Sequence, residues 1–237
     1  MSTERDADNG KLCTGIGGLD RELSGGIAPG SLVAVKAGPA TQGEHLFQQV
    51  VGLRPTLYLS TLRESTAVET HLAGVDEELV VKDIRKTKAM DNDAFKQLTG
   101  TRGYSSPMEG KAETIDRAYE LIDKIDRKMN VILDPANPLE ATEDKNAYQE
   151  LINKFKSKIL DTGGLGIIHC ITLGDVPPLR DMTLGISDVV LELELVSATN
   201  KQQYQLTMPK NRNGEPMLTE TEVVFGTDVF IDETRNI

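Results

Sequence analysis

Ser31-Leu-Val-Ala-Val-Lys-Ala37, followed by Gly38-Pro-Ala-Thr-Gln-Gly43 and then Glu44-His-Leu-Phe-Gln-Gln-Val-Val51, is the stretch that decides the fold. The first segment is the short apolar run of a buried strand. The second is bounded by glycine and proline, and the third carries apolar residues at helical spacing. Strand, loop and helix in that order open a crossover unit, and right-handed crossovers make successive strands parallel.

The same alternation continues outward. Thr56-Leu-Tyr-Leu-Ser60 reads as a second strand, and Val68, His71 and Leu72 mark a helical return across the sheet. Between Glu113 and Lys128, Ile115, Ala118, Tyr119, Ile122 and Ile125 form one face of an amphipathic helix. Asn130-Val-Ile-Leu-Asp134 is a strand ending in a carboxylate. Tyr148, Leu151, Ile152, Phe155 and Ile159 repeat the helical stripe until Gly163-Gly164 stops it, and Leu165 to Ile171 is the next strand. From Asp188 the period becomes two, with Leu191, Leu193 and Leu195 against Glu192 and Glu194. Ala198 to Lys201 turns the chain, and Gln202–Met208 and Glu222–Ile231 read as antiparallel strands; residues 80–110 read partly as loop. The expected fold is α/β: a mostly parallel twisted sheet flanked by helices, with an antiparallel C-terminal extension. No repeat or linker divides the chain, so residues 1–11 read as a polar tail and 12–237 as one domain.

Composition narrows the function classes. Of 237 residues, 38% are hydrophobic and 27% charged, and no apolar run approaches the ~18 residues of a membrane span. The polar, acidic N-terminus lacks the basic and apolar segments of a secretory signal, which points to a cytoplasmic protein. Cys13 and Cys170 have no metal or redox spacing and read as reduced structural thiols. With 37 acidic against 26 basic residues, the net charge of −11 argues against nucleic acid as a partner. It fits ordinary solubility and a high-salt cytoplasm equally well. Serine-hydrolase, zinc-protease and dinucleotide motifs are absent.

Gly38-Pro-Ala-Thr-Gln-Gly43-Glu-His45 sits where a phosphate loop G-x-x-x-x-G-K-[ST] belongs. With 21 glycines, two glycines five apart arise about twice by chance, so only the strand-to-helix placement gives the match weight. The glycines fit, but Glu44 and His45 replace the lysine that reaches the phosphates and the hydroxyl that holds magnesium. The Glu44 carboxylate removes one attraction to a polyanion and adds a repulsion, each about 4 kcal/mol at 4 Å and an effective dielectric of 20. Asp134 stands where a magnesium-side aspartate would, and also where an Asp-Pro turn would start. His71 and His169 read as packing residues.

Together these segments resemble the KaiC-type proteins of the RecA superfamily. The likeness is carried by Thr14-Gly-Ile-Gly-Gly-Leu-Asp20, Leu23-Ser-Gly-Gly-Ile-Ala-Pro-Gly-Ser31 and Tyr58-Leu-Ser-Thr-Leu-Arg-Glu-Ser65. It continues through Val131-Ile-Leu-Asp134, Ile186-Ser-Asp-Val-Val-Leu191 and Pro209-Lys-Asn-Arg-Asn-Gly214. It implies a RecA-like core, more particularly the archaeal KaiC-like and recombinase-paralogue ATPases associated with signalling. It also implies ATP and magnesium as the cofactors of an intact site, self-association or a protein partner, and roles for individual residues. Gly38 to Gly43 would form the phosphate loop, with Pro39, Ala40, Thr41 and Gln42 between the glycines. Asp134 would be the magnesium-side aspartate and Glu64 a catalytic glutamate, while Arg63 stands where an acidic neighbour is usual. Lys210 and Arg212 match an element that reaches a neighbouring subunit's nucleotide, and a solvated hairpin tip is the competing reading. The sequence commits to neither cofactor.

The departures at Glu44, His45 and Arg63 point to a regulatory or signalling pseudo-ATPase acting through protein contacts. The alternatives are an active ATPase, with Lys36, Lys210 or Arg212 supplying the missing charge, and a DNA-binding paralogue using the Thr172–Asp181 loop.

Overall fold

The computed structural model describes residues 10–75, 78–85, 107–198, 201–226 and 229–232. In chain order the elements are α1 (Gly17–Glu22), β1 (Ser31–Ala37), α2 (Glu44–Val51), β2 (Thr56–Ser60), α3 (Ser65–His71), β3 (Leu79–Asp83), α4 (Pro107–Asp123) and β4 (Asn130–Asp134). They continue with α5 (Asn137–Glu140), α6 (Lys145–Thr162), β5 (Leu165–Ile171), α7 (Arg180–Ile186), β6 (Val189–Ala198), β7 (Lys201–Asn211), β8 (Met217–Phe225) and β9 (Val229–Asp232). One nine-stranded sheet runs β3-β2-β4-β5-β1-β6-β7-β8-β9. Strands β3 to β6 in that order pair in parallel, and β7, β8 and β9 add antiparallel.

The structure adds the short helices α1, α5 and α7, lengthens the strand read as Gln202–Met208 to Lys201–Asn211, and changes two further elements. The helix expected to reach Lys128 ends at Asp123, although Ile125 stays buried and its amide bonds Ile122 O at 3.1 Å. The apolar stripe outlasts the helix because the connection to β4 still packs on the core. Glu222–Ile231, read as one strand, is a hairpin in which Phe225 pairs with Val229. Alternation is the same on both arms of a hairpin, so periodicity alone does not reveal the reversal. Part of the 80–110 stretch is β3; residues 86–106 lie outside the described residues.

The strands alternate between two cores. One, against α1, α2 and α3, holds Val33, Val35, Phe47, Tyr58, Ile132 and Ile167 and extends under β7 to β9. The other, under α4 to α7, holds Leu32, Ala34, Leu133, Tyr148, Phe155 and Ile168. Helix α6 is started by the Asp144 side chain, which accepts from Ala147 N, and is ended by Gly163 at φ 67°.

The Thr14–Asp20 phrase has a local structural role. Asp20 Oδ1 accepts from Thr14 N and Thr14 Oγ1, both at 2.7 Å, and Oδ2 accepts from Gly15 N at 3.2 Å. Leu12 then bridges Ile27. A Cβ on Gly26 would lie 2.2 Å from Leu12 O, so the return leg of this hook requires glycine there.

Candidate functional site

Four parallel strands, β1, β2, β4 and β5, end on one edge of the sheet, the place where open α/β sheets bind ligands. Register brings their chemistry together. Ser60 lies opposite Asp134, and Leu133 opposite Ile168, which sets Asp134 level with His169. Strand parity then turns Asp134 and His169 to the same face as Ile132, Ile167 and Tyr58, under α2.

Asp134 is the centre of a network. It is 2% exposed, and its Oδ2 accepts from the Tyr58 hydroxyl and, at 2.7 Å, from Arg63 Nη2. Oδ1 is engaged by His169 Nδ1 at 2.6 Å, and Arg63 Nη2 also donates to the Tyr58 oxygen at 2.9 Å. Burial alone would raise the Asp134 pKa. The His169 and Tyr58 hydrogen bonds and the Arg63 charge more than offset it, lowering the pKa from 3.8 to about 2. Burial and the adjoining Asp134 charge push the Tyr58 phenol far up, so Tyr58 keeps its proton and donates it. His169 Nε2 is buried without a hydrogen-bond partner among the described residues, and Phe47 meets the ring edge-on at 5.0 Å.

The loop above this network is a closed turn. Thr41 N and Thr41 Oγ1 both donate to Gly38 O, at 3.1 and 2.6 Å. Pro39 and Ala40 form its exposed tip, Thr41 is buried and Gln42 has φ 55°. His45 N donates to Gln42 O at 3.0 Å and Leu46 N to Gly43 O at 3.1 Å. Gly43 is required by packing, since a Cβ there would lie 2.8 Å from Ala37 Cβ and 3.4 Å from His169 Nε2. Glu44 occupies the first turn of α2. His45 stacks edge-on with His71 at 5.8 Å and meets Phe225 at 5.7 Å. Gln48 Nε2 lies 3.2 Å from His71 Nε2. Burial, with the charges of Arg63 and His45, lowers the His71 pKa.

The remaining sequence candidates lie elsewhere. Glu64 is 70% exposed and faces Arg85 at 3.5 Å, away from Asp134. Lys36 points to the opposite face of the sheet, bonded to Glu192 at 2.5 Å. Lys210 donates to Leu184 O and Gly185 O, at 2.7 and 2.9 Å, and Arg212 donates to Gly185 O at 2.7 Å. Both therefore reach the C-terminal end of α7, Arg212 from the turn between β7 and β8 with its side chain 50% exposed. Lys210 pairs with Val190, which lies opposite Ala34 in the middle of β1, about 13 Å along the strand from Gly38 at ~3.3 Å per residue. In the Thr172–Asp181 loop the one arginine, Arg180, is buried on Glu140, which its Nη2 meets at 2.7 Å. The loop's one cation is thus committed within the fold.

A family model described as a family of unknown function, DUF7125, matches residues 11–237. The chain belongs to the DUF7125 family. Among solved structures, this DUF7125 chain is similar to the KaiC-like protein PH0186 from the hyperthermophilic archaeon Pyrococcus horikoshii OT3. That match has a TM-score of 0.64 at 15% identity and covers 94% of this chain and 98% of that one. The likeness shows a shared KaiC-like, RecA-type fold. Comparison with curated proteins finds no match. No helix among the described residues is long and apolar enough to cross a membrane.

The DUF7125 site does not fit magnesium as the fold implies it. Magnesium needs a bare carboxylate oxygen, alongside waters and phosphates, in a tight octahedron. Both oxygens of Asp134 already accept protein hydrogen bonds, and one faces a guanidinium.

Sequence reading missed Tyr58 as a site residue and took His169 for packing. The available signal was polar side chains in otherwise apolar strands, but only the register shows that Tyr58, Asp134 and His169 converge.

Proposed function

We infer that this chain is a RecA-fold protein that does not hydrolyse ATP and acts as a regulatory module through protein contacts. One observation carries the reading: the aspartate at the end of β4 is engaged on both oxygens by Tyr58, Arg63 and His169. Glu44 at the helix start supports it, because a carboxylate there repels a polyphosphate that the loop must attract. The exposed apolar side chains of Leu62, Leu173 and Val176 support the contact role. They lie on the loops that follow β2 and β5, at the same edge of the sheet.

The test is titration calorimetry with ATP and magnesium, together with phosphate release from the purified chain. The expected result is no turnover above the protein-free rate. Turnover that disappears in both Asp134→Ala and Glu64→Gln would overturn the reading and restore an active ATPase.

A further inference from the structure

Arg63 is placed by more than its own side chain. Ser60 Oγ accepts from Arg63 N at 3.0 Å and donates to Arg63 O at 2.7 Å, pinning the residue three positions beyond the end of β2. Thr61 N donates to Asp134 O at 2.9 Å, and Thr61 Oγ1 donates to Pro135 O at 2.5 Å. The β2 and β4 loops are thus fastened together, and the guanidinium is delivered to Asp134 at 2.7 Å. The Tyr58 hydroxyl bridges the two, accepting from Arg63 and donating to Asp134.

We propose that Arg63 is a built-in replacement for a divalent cation, so that the end of β4 holds its charge balance without metal. This rests on the reading of the site as non-hydrolytic and extends it: of the three groups on the Asp134 carboxylate, Arg63 is the one whose charge stands in for a cation. A guanidinium supplies the positive charge and directional donors that a cation would supply to the carboxylate. Arg63 remains 32% exposed on the side facing solvent. Burial opposes the charge on Arg63, but the neighbouring Tyr58 and Asp134, with Glu44 beyond them, hold it protonated above the usual arginine range.

The experiment measures the thermal midpoint of the full chain in magnesium chloride and in manganese chloride, without nucleotide and against EDTA. It compares wild type with Arg63→Gln, Arg63→Glu and Arg63→Glu/Asp134→Asn. Wild type is expected to show no divalent-specific shift. Arg63→Gln, which removes the cation but keeps hydrogen-bond donors at that position, should be stabilised by manganese. Arg63→Glu, which pairs two carboxylates, should be stabilised by several degrees, and the added Asp134→Asn should abolish that gain. Calorimetric titration of manganese alone should show one site in the Arg63 variants and none in wild type. A wild-type shift that Asp134→Asn removes would overturn the proposal, as would Arg63 variants that ignore both metals. Unresponsive variants together with no ATP turnover would overturn only the cation replacement and leave the non-hydrolytic reading standing; turnover in wild type would strike that reading itself.

Discussion

Two arginine–carboxylate pairs lie on opposite faces of this sheet and differ in one respect. Under α5 and α7, Glu140 and Arg180 have side chains 0% and 4% exposed, and Thr183 Oγ1 adds a bond to Glu140 at 2.6 Å. Under α2, Asp134 is as deeply buried, but its Arg63 partner is 32% exposed. The first pair is sealed on all sides and can only hold the fold together. The second has one partner reachable from water, so its balance can be altered by something outside the chain. Burial of the cation, rather than presence of the pair, separates structural from addressable ionic groups here.

Substitutions should separate the two pairs, the largest effect coming from the sealed one. Arg180→Ala leaves the Glu140 charge buried and should cost about 3–5 kcal/mol in urea denaturation. A change of under 1 kcal/mol would mean that water reaches this pair and that the contrast fails. Asp134→Asn should cost about 2 kcal/mol, because Arg63 keeps solvent on one side. This loss has a pH signature. The folded pKa of Asp134 lies below its ordinary 3.8, at about 2, so the unfolded chain binds the extra proton first. Its contribution is present above about pH 4 and disappears as the pH falls toward about 2. The difference between wild-type and Asp134→Asn denaturation curves should shrink over that window; a constant difference would mean that Asp134 is not held ionised by its neighbours.

Smaller effects sharpen the same contrast. Arg63→Gln should cost about 1 kcal/mol, less than Arg180→Ala, since the freed carboxylate can recruit water. Equal losses for the two arginines would erase the distinction. Lys210→Ala, which removes a cation from the last carbonyls of α7, should cost about 0.5 kcal/mol in the same assay. A larger loss would place Lys210 in the core of the fold.

Much of this architecture was legible in the sequence. The Ser31–Val51 stretch gave β1, its loop and α2 with their observed limits, because a short apolar run and a helical stripe do not imitate each other. The Phe225–Val229 reversal was hidden, because both arms of a hairpin share one period. Asp134 and the Gly38–His45 loop were legible through local patterns. The partners of Asp134 were not: Tyr58, Arg63 and His169 come from β2, the loop after it and β5, and a register is a long-range quantity. The places of Lys210 and Arg212 on α7 carbonyls were invisible for the same reason, since nothing beside them in sequence names a helix end as the acceptor.

The hook held by Asp20 bears on how such chains are recognised. Its hydrogen bonds join groups within a single short segment, so it forms whether or not a triphosphate is ever handled. A profile that scores this signature detects an architecture, and it will gather motors and silent relatives with equal ease. Under the proposal made for Arg63, the position that would sort one from the other lies about forty residues downstream, just past the second strand.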